Sequence, residues 1–385
     1  MLDFYQTAEL FTTEERQSQA SLRRFLDAEV LPHIGDWWEQ AKFPRELVLR
    51  FGEMGLLGPN LSWDKRSAVA SNVAYGLMMY ELERIDSGLR SFVSVQGALA
   101  MYVVTTYGSD EQRRIYLPEL AAGRIVGCFG LTEAHGGSDP AAMKTIATKD
   151  GAEYVLRGSK SWITSGGIAD IAIVWARDDE GEVRGFIVPT DAPGFSASKI
   201  ERKMSLRVCD TSELVMDGVR VKSSQMLPGA CGMSAPLSAL TQGRYGIVWG
   251  VMGALEAVYG EALEFAKSRS TFGRPIASRQ LVQAKLAGML SDHTQGMLLA
   301  WRLGHLKDSN KLAPAQVSMA KRFNVRAALN GARVAREILG ASGITLEYEA
   351  IRHMLNLETV DTYEGAYDVQ TLVLGREITG IDGFR

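Results

Sequence analysis

The hydrophobic period of this chain changes twice, and that alternation constrains the fold more than any single residue. Over residues 13–120 apolar side chains recur at spacings of three and four, the mark of helices with one buried face. Thr13-Glu14-Glu15 reads as a capped helix start, and a second helix is expected near Pro44. Residues 71–84 have the apolar, Ala- and Gly-bearing character of a buried helix, and residues 99–107 and 111–122 continue in that style. The texture turns at Gly123. Residues 125–131, 153–156, 171–176, 185–188 and 212–216 are short β-branched or apolar runs punctuated by Gly, Pro, Asp and Ser, which predicts an antiparallel β domain. From Pro236 the helical period returns over 245–269, 281–307 and 314–339, lengths that suit a four-helix bundle completed by 346–357 or 366–380. In the first of these, Gly246, Gly250, Gly253, Ala254 and Ala257 leave room for another helix to approach closely. The expected fold is mainly α with a central β domain: an N-terminal helical domain (1–122), a middle antiparallel β domain (123–235) and a C-terminal four-helix bundle (236–385).

Composition closes off several functions. With 42 Lys and Arg against 45 Asp and Glu among 385 residues, the net charge is −3, so no basic excess exists to neutralise a nucleic-acid backbone. Cys128, Cys209 and Cys231 are odd in number and far apart, which argues against a disulfide framework or a metal pair and fits a reducing, cytoplasmic setting. His33, His135, His293, His305 and His353 show no helical ligand spacing, so no metal site is expected. No run of about 18 apolar residues escapes interruption by a charge, so no membrane span is expected. Met1-Leu2-Asp3-Phe4-Tyr5 lacks the basic start and apolar run of a signal peptide.

Several segments can carry chemistry. Thr362-Tyr363-Glu364-Gly365 puts one carboxylate on a Gly-bearing turn between two apolar stretches. In a largely apolar pocket such a carboxylate holds its proton more tightly and becomes a better base, whereas on an open loop it is a solvated Glu. Residues 128–139 run from a strand into a small-residue loop with room for a flat or phosphorylated ligand, although Gly136-Gly137-Ser138 alone also reads as a turn and no GxGxxG opens a βαβ unit. Lys160-Ser161-Trp162-Ile163-Thr164-Ser165 sets a Trp beside a Thr at a strand end, able to stack on an aromatic ring or to serve as core. If helical, Glu83 and Arg90 stand on one face, either as a solvated helix end or with Arg90 gripping a carboxylate at the bottom of a pocket. Arg269-Ser270-Thr271-Phe272-Gly273, and the segment from Glu337 to Gly343, are helix ends broken by Gly.

Together and in this order, these segments resemble the acyl-CoA dehydrogenase family, and within it the dehydrogenases of glutaryl-CoA. The resemblance runs from the N-terminal helices to Phe384. It is most specific over 83–95, 127–133, Arg244-Tyr245-Gly246, 351–364, Leu374-Gly375-Arg376 and Thr379-Gly380. It implies the same α–β–α domain order and a bound FAD. By resemblance, Phe129, Leu131, Thr132 and Ser138 line one side of the isoalloxazine and Trp162, Ile163 and Thr164 the other, with Ala366 and Phe384 also at the cofactor site. Arg269, Phe272 and Gln280, with Glu337, Ile338, Leu339, Gly340 and Ala341, would hold the adenine dinucleotide part of a neighbouring subunit's FAD, which implies a homo-oligomer, usually a tetramer in this family.

Glu364 matches the family's catalytic base. Its task would be to remove an α-proton from the acyl-CoA thioester while the flavin accepts the β-hydride and hydrogen bonds polarise the thioester carbonyl. Some relatives carry the base just before the position of Arg244, where this chain has Gly243. Arg90 matches the arginine that grips the far carboxylate of glutaryl-CoA, and Ser91, Glu83, Ser138, Arg244, Tyr363 and Gly365 match other substrate-side positions. A buried Arg is poorly matched to a monocarboxylic chain, because an unpaired buried charge costs several kcal/mol. The implied reaction is oxidation of glutaryl-CoA with loss of CO2 to give crotonyl-CoA, the electrons going on to an electron-transfer flavoprotein.

The chain departs from the family pattern at Ala366 and Tyr367 (usually Thr and His), Ala341 (Gly), Ala134 (Pro), Thr271 (Gln) and the loop Ser62-Trp63-Asp64-Lys65-Arg66. Loss of the Thr removes one hydrogen bond to the flavin nucleotide, about 0.5–1.5 kcal/mol net. Beside the leading reading stand two others: a flavin acyl-CoA dehydrogenase for another acyl chain or without decarboxylation, and an FAD-free binding or assembly protein of the same fold.

Overall fold

The computed structural model describes residues 3–63 and 69–384; Met1, Leu2 and Asp64 to Arg66, read above in the N-terminus and the departing loop, lie outside the described residues. The chain opens with α1 (Thr13–Glu29), α2 (Ile34–Glu39), α3 (Leu47–Glu53), α4 (Asn72–Ile85) and α5 (Ser87–Ser94). A π-helical stretch, Val95–Met101, leads into α6 (Tyr102–Tyr107), followed by α7 (Asp110–Ala121). The start of α1 is a capping box in which Thr12 Oγ1 accepts from Glu15 N–H at 3.2 Å and Glu15 Oε2 accepts from Thr12 N–H at 2.9 Å.

Glu83 and Arg90 do not share one helix. Asp86 adopts an extended backbone (φ −163°, ψ 138°) and ends α4. Its side chain then caps α5, accepting from Gly88 N–H at 2.7 Å, so the chain turns a corner between the two residues. They meet across that corner.

The middle segment holds β1 (Gly127–Gly130), β2 (Ile146–Asp150), β3 (Glu153–Thr164), β4 (Ile171–Arg177), β5 (Val183–Pro189), β6 (Phe195–Lys199) and β7 (Thr211–Lys222). They form one sheet in the order β1-β4-β2-β3-β7-β6, with β5 on β4. The expected antiparallel domain is in fact mixed, because β1 and β2 both run parallel to β4. Strands β2 and β6 escaped the sequence pattern since they are almost wholly solvent-facing and carry little apolar alternation.

The C-terminal part comprises α8 (Ser234–Ser268), a two-stranded hairpin of β8 (Ser270–Thr271) and β9 (Arg274–Pro275), α9 (Gln280–Asp308), α10 (Pro314–Ile338), α11 (Ala350–Thr362) and α12 (Tyr367–Thr379). Helix α10 packs on α8, α9, α11 and α12, so both candidate fourth helices form. The small residues of α8 do bring a helix close, and that helix is α4: a Cβ on Gly253 would stand 2.0 Å from Tyr80 O, and one on Gly250 2.1 Å from Glu83 Oε2. Close approach of α4 to α8 is therefore what carries Glu83 to the bundle interior. Among the described residues no helix is long and apolar enough to cross a membrane, and no cluster of His, Cys, Asp or Glu could hold a metal ion.

Candidate active site

Glu364 sits in the turn between α11 and α12 with a left-handed backbone (φ 50°), followed by Gly365 (φ 91°). For a residue with a Cβ that conformation costs on the order of 1–3 kcal/mol and persists only where the surroundings impose it. Here they do. Lys321 Nζ donates to Tyr363 O at 2.5 Å and to Gly365 O at 2.7 Å. Arg244 Nε donates to Glu364 O at 2.6 Å, and Gln370 Nε2 to Glu364 O at 3.2 Å and Gly365 O at 3.0 Å. Three consecutive carbonyls are thus all held from the bundle side. Among the described residues the Glu364 N–H meets no acceptor.

The Glu364 carboxylate lies against α8, where Gly243 makes room: a Cβ at 243 would stand 2.2 Å from Glu364 Oε2. That oxygen is buried and has no hydrogen-bond partner. Burial pushes the Glu364 carboxyl above the usual carboxylate range, and Arg90, Lys321 and Arg244 offset this only in part, while Glu83 adds to the rise. An unpaired, partly desolvated carboxylate with raised proton affinity is what general-base chemistry needs.

Arg90 and Glu83 are both fully buried, joined through Nε and Oε2 at 2.6 Å. Arg90 also donates to the Tyr363 hydroxyl, which lies 3.1 Å from Ser91 Oγ. One guanidinium nitrogen, Nη1, is left without a partner, as is Glu83 Oε1. Burial opposes the charge on Arg90, but Glu83, with Tyr363 and Glu364, more than offsets it, so the guanidinium stays charged. Glu83, Arg90, Ser91, Arg244, Tyr363, Glu364 and Gly365 are therefore one cluster.

A second group gathers at the loop after β1. Ser161 N–H donates to Thr132 O at 2.9 Å, binding the end of β3 to the loop after Leu131. Glu133 clamps it further, accepting from Lys160 Nζ at 2.7 Å, Thr145 Oγ1 at 2.6 Å and Lys144 N–H at 2.7 Å. Burial alone would raise the Glu133 carboxyl, but these donors outweigh it and hold it at about 2. Between Lys160 and Ile163 the register slips, and Trp162, at φ 63°, is thrown out to 61% exposure. An exposed Trp on a bulge beside Thr132 and Thr164 suits a flat ring system. Phe129, Leu131 and Ile163 are buried beneath, and Ser138 is exposed at the loop's far end.

The remaining cofactor candidates lie apart. Arg269, Phe272 and Gln280 are exposed on the hairpin and the start of α9, with Phe272 97% exposed. Glu337 pairs with Lys285 at 2.7 Å, Gly340 and Ala341 are exposed, and Ile338 and Leu339 are packed in the core, leaving only backbone to face a ligand. Phe384 is 43% exposed, and Ala366 is the N-cap of α12. Among the described residues no hydrogen bond or ion pair links the hairpin or Glu337 to the Glu364 cluster. Sequence reasoning passed over Lys321 and Gln370. The signal for Lys321 was present: it falls on the buried stripe of α10 with Val317, Ala320, Asn324, Val325 and Ala328, an ammonium group where the period calls for an apolar residue.

This fold, with an unpaired carboxylate on a clamped turn facing a buried Arg, defines a class, and sequence comparison agrees. Three family profiles match: Acyl-CoA dehydrogenase, N-terminal domain, over residues 12–124; middle domain, over 128–219; and C-terminal domain, over 231–379. The chain belongs to the acyl-CoA dehydrogenase family. It is 33% identical over 374 residues to an acyl-CoA dehydrogenase of Bacillus subtilis, covering 96% of this chain and 99% of that one. It is similar over its whole length to the crystal structure of a glutaryl-CoA dehydrogenase from Mycobacterium smegmatis in complex with FADH2 (TM-score 0.98, 48% identity, 100% of this chain and 99% of that one). A further crystal structure of glutaryl-CoA dehydrogenase from Mycobacterium smegmatis matches at TM-score 0.95 and 52% identity, covering 97% of each chain.

Proposed function

We propose that this protein oxidises glutaryl-CoA, removing hydrogen across the α and β carbons and releasing the distal carboxylate as CO2. The observation that carries the reading is the pairing of two orphaned atoms in one buried cluster: Glu364 Oε2, an acceptor with no donor, and Arg90 Nη1, a donor with no acceptor. Buried polar atoms are rarely left so, and a ligand that satisfies both is an acid-bearing chain with a removable proton. Charge supports the same substrate. Arg90 keeps its charge and meets Glu83 through Nε alone, so its unpartnered Nη1 is left to take a distal carboxylate.

In this reading Glu364 takes the α-proton, the free Glu364 N–H donates to the thioester carbonyl, and Arg90, steadied by Glu83 and Tyr363, holds the far carboxylate. FAD held between the 129–132 segment, Ser138 and Trp162 to Thr164 would supply the acceptor for the β-hydride. Loss of CO2 from the glutaconyl thioester leaves a dienolate, which protonated Glu364 can quench to crotonyl-CoA. We further infer that Arg269, Phe272, Gln280 and the 337–341 segment serve a neighbouring subunit's cofactor in a homotetramer, since they sit exposed and away from the Glu364 cluster. An electron-transfer flavoprotein as acceptor, a cytoplasmic setting for the three free thiols, and domain divisions at 122/123 and 235/236 belong to the same reading. The test is anaerobic mixing of the yellow flavoprotein with glutaryl-CoA and butyryl-CoA, with product analysis. Fast bleaching by glutaryl-CoA alone, with crotonyl-CoA formed, supports the proposal; equal bleaching by butyryl-CoA removes the role of Arg90, and glutaconyl-CoA as end product removes the decarboxylation.

A further inference from the structure

We infer that Lys321 is a positioning residue for the catalytic turn: its buried amine fastens the carbonyls on either side of Glu364, aims the Glu364 N–H into the pocket and stands as counter-charge to the carboxylate. The inference rests on Glu364 being the base.

The geometry gives the reason. Lys321 is 2% exposed on α10, yet among the described residues its amine has no carboxylate within salt-bridge distance, unlike Lys160, which has Glu133. Its acceptors are Tyr363 O at 2.5 Å and Gly365 O at 2.7 Å, more than forty positions along the chain. An apolar side chain would fill this core position without desolvating a charge. The peptide unit is planar and trans, so its C=O and N–H point in opposite directions. Drawing Tyr363 O towards α10 therefore turns the Glu364 N–H away from α10, and that N–H meets no acceptor among the described residues. Arg244 and Gln370 fix the next carbonyl, Glu364 O, from the same side. The backbone donor beside a bound thioester is thus set from behind, with Lys321 holding the carbonyls on either side of Glu364.

The charges facing Glu364 come from four helices: Glu83 on α4, Arg90 on α5, Arg244 on α8 and Lys321 on α10. Lys321 in turn faces Glu364, Arg244, Arg90 and Asp361 of α11. Burial pushes the Lys321 amine down to about 7, with Glu364 opposing that shift. Removing it takes one cation from a carboxylate that Glu83 already disfavours as an anion. The Glu364 proton is then held more tightly, and the acid limb of the rate profile moves to higher pH.

The test uses the flavin-loaded enzyme and whichever acyl-CoA reduces the wild type. Lys321→Met, Lys321→Arg and Glu364→Gln are compared by flavin spectrum, thermal melt, kcat, KM and the pH profile of kcat/KM. Lys321→Met should keep its flavin spectrum, lose about 10–100-fold in kcat with KM changed far less, and shift its acid limb upward by about one pH unit. Lys321→Arg, which keeps the charge but not the reach, should leave the limb in place while lowering kcat. If Lys321→Met loses its fold, the Lys321→Arg profile still decides, because an upward limb with the cation retained contradicts the counter-charge role. A Lys321→Met enzyme with wild-type kcat and limb overturns the inference while Glu364→Gln remains inactive. An active Glu364→Gln instead overturns the assignment of the base.

Discussion

Replacing Gly243 by Ala separates the placement of the Glu364 carboxylate from its proposed chemistry. The new methyl would stand 2.2 Å from Glu364 Oε2, 2.9 Å from its carboxyl carbon and 3.1 Å from Oε1, and these are its three nearest neighbours. The first distance falls more than about 1 Å short of ordinary contact. The obstacle is the free end of a side chain and not backbone, so the carboxylate swings aside and the helix stays put. Displacing a reacting group by about 1 Å can cost about 100-fold in rate, or roughly 2.7 kcal/mol at 1.36 kcal/mol per decade. In the middle of α8 the same change should help the fold, since Ala is better than Gly in a helix interior by about 0.5–1 kcal/mol. The expected variant is therefore yellow, at least as heat-stable as wild type and about 100-fold slower in kcat. Flavin absorbance, a thermal melt and steady-state turnover measure the three. A stable variant within threefold of wild-type kcat would refute the reasoning, because the carboxylate would then be working from somewhere other than the space over Gly243.

Three further outcomes follow from the same structure. Arg90→Met strands the buried Glu83 carboxylate and should lower stability by about 3–5 kcal/mol, whereas Glu83→Gln with Arg90→Met should recover most of it; in both, thermal melts and rates should show lost preference for a dicarboxylic acyl chain. On the proposed role of Glu364 as an unprotonated base, with its carboxyl raised above 4.5, kcat/KM should fall as pH drops through a value above the ordinary carboxylate range, with no such limb in Glu364→Gln. Glu133 is depressed from 4.5 to about 2, so its contribution to stability is complete above pH 4.5 and lost as pH falls towards 2; acid titration of the melting temperature should show that loss diminished in Glu133→Gln.

The α–β–α order and the long bundle helices were legible because period is a one-dimensional property, and α8 advertised its close approach through Gly246, Gly250 and Gly253. The Glu364 turn was legible as a lone carboxylate before a Gly. The mixed sheet was not, since the parallel pairing of β1 with β4 depends on which edges meet in space. Nor was the corner at Asp86. A single Asp that ends one helix and caps the next looks, in sequence, like a charged residue within one amphipathic run, and only its bonds to Gly88, Arg352 and Asn356 give the break away. The carbonyl clamp around Glu364 was hidden for the same reason: Arg244, Lys321 and Gln370 come from three helices. Trp162 could be read as cofactor wall or core; its exposure on a bulge follows from a register slip that no local pattern encodes.

The central claim is that the Glu364 carboxylate removes the α-proton of a bound thioester. Single-turnover flavin reduction by glutaryl-CoA, unlabelled and deuterated at the α carbon, tests it most directly in wild type and Glu364→Gln. The account predicts a severalfold primary isotope effect in wild type and a reduction rate about 100–10,000-fold lower in the variant. Equal reduction rates in the two proteins, with the isotope effect intact, would contradict it.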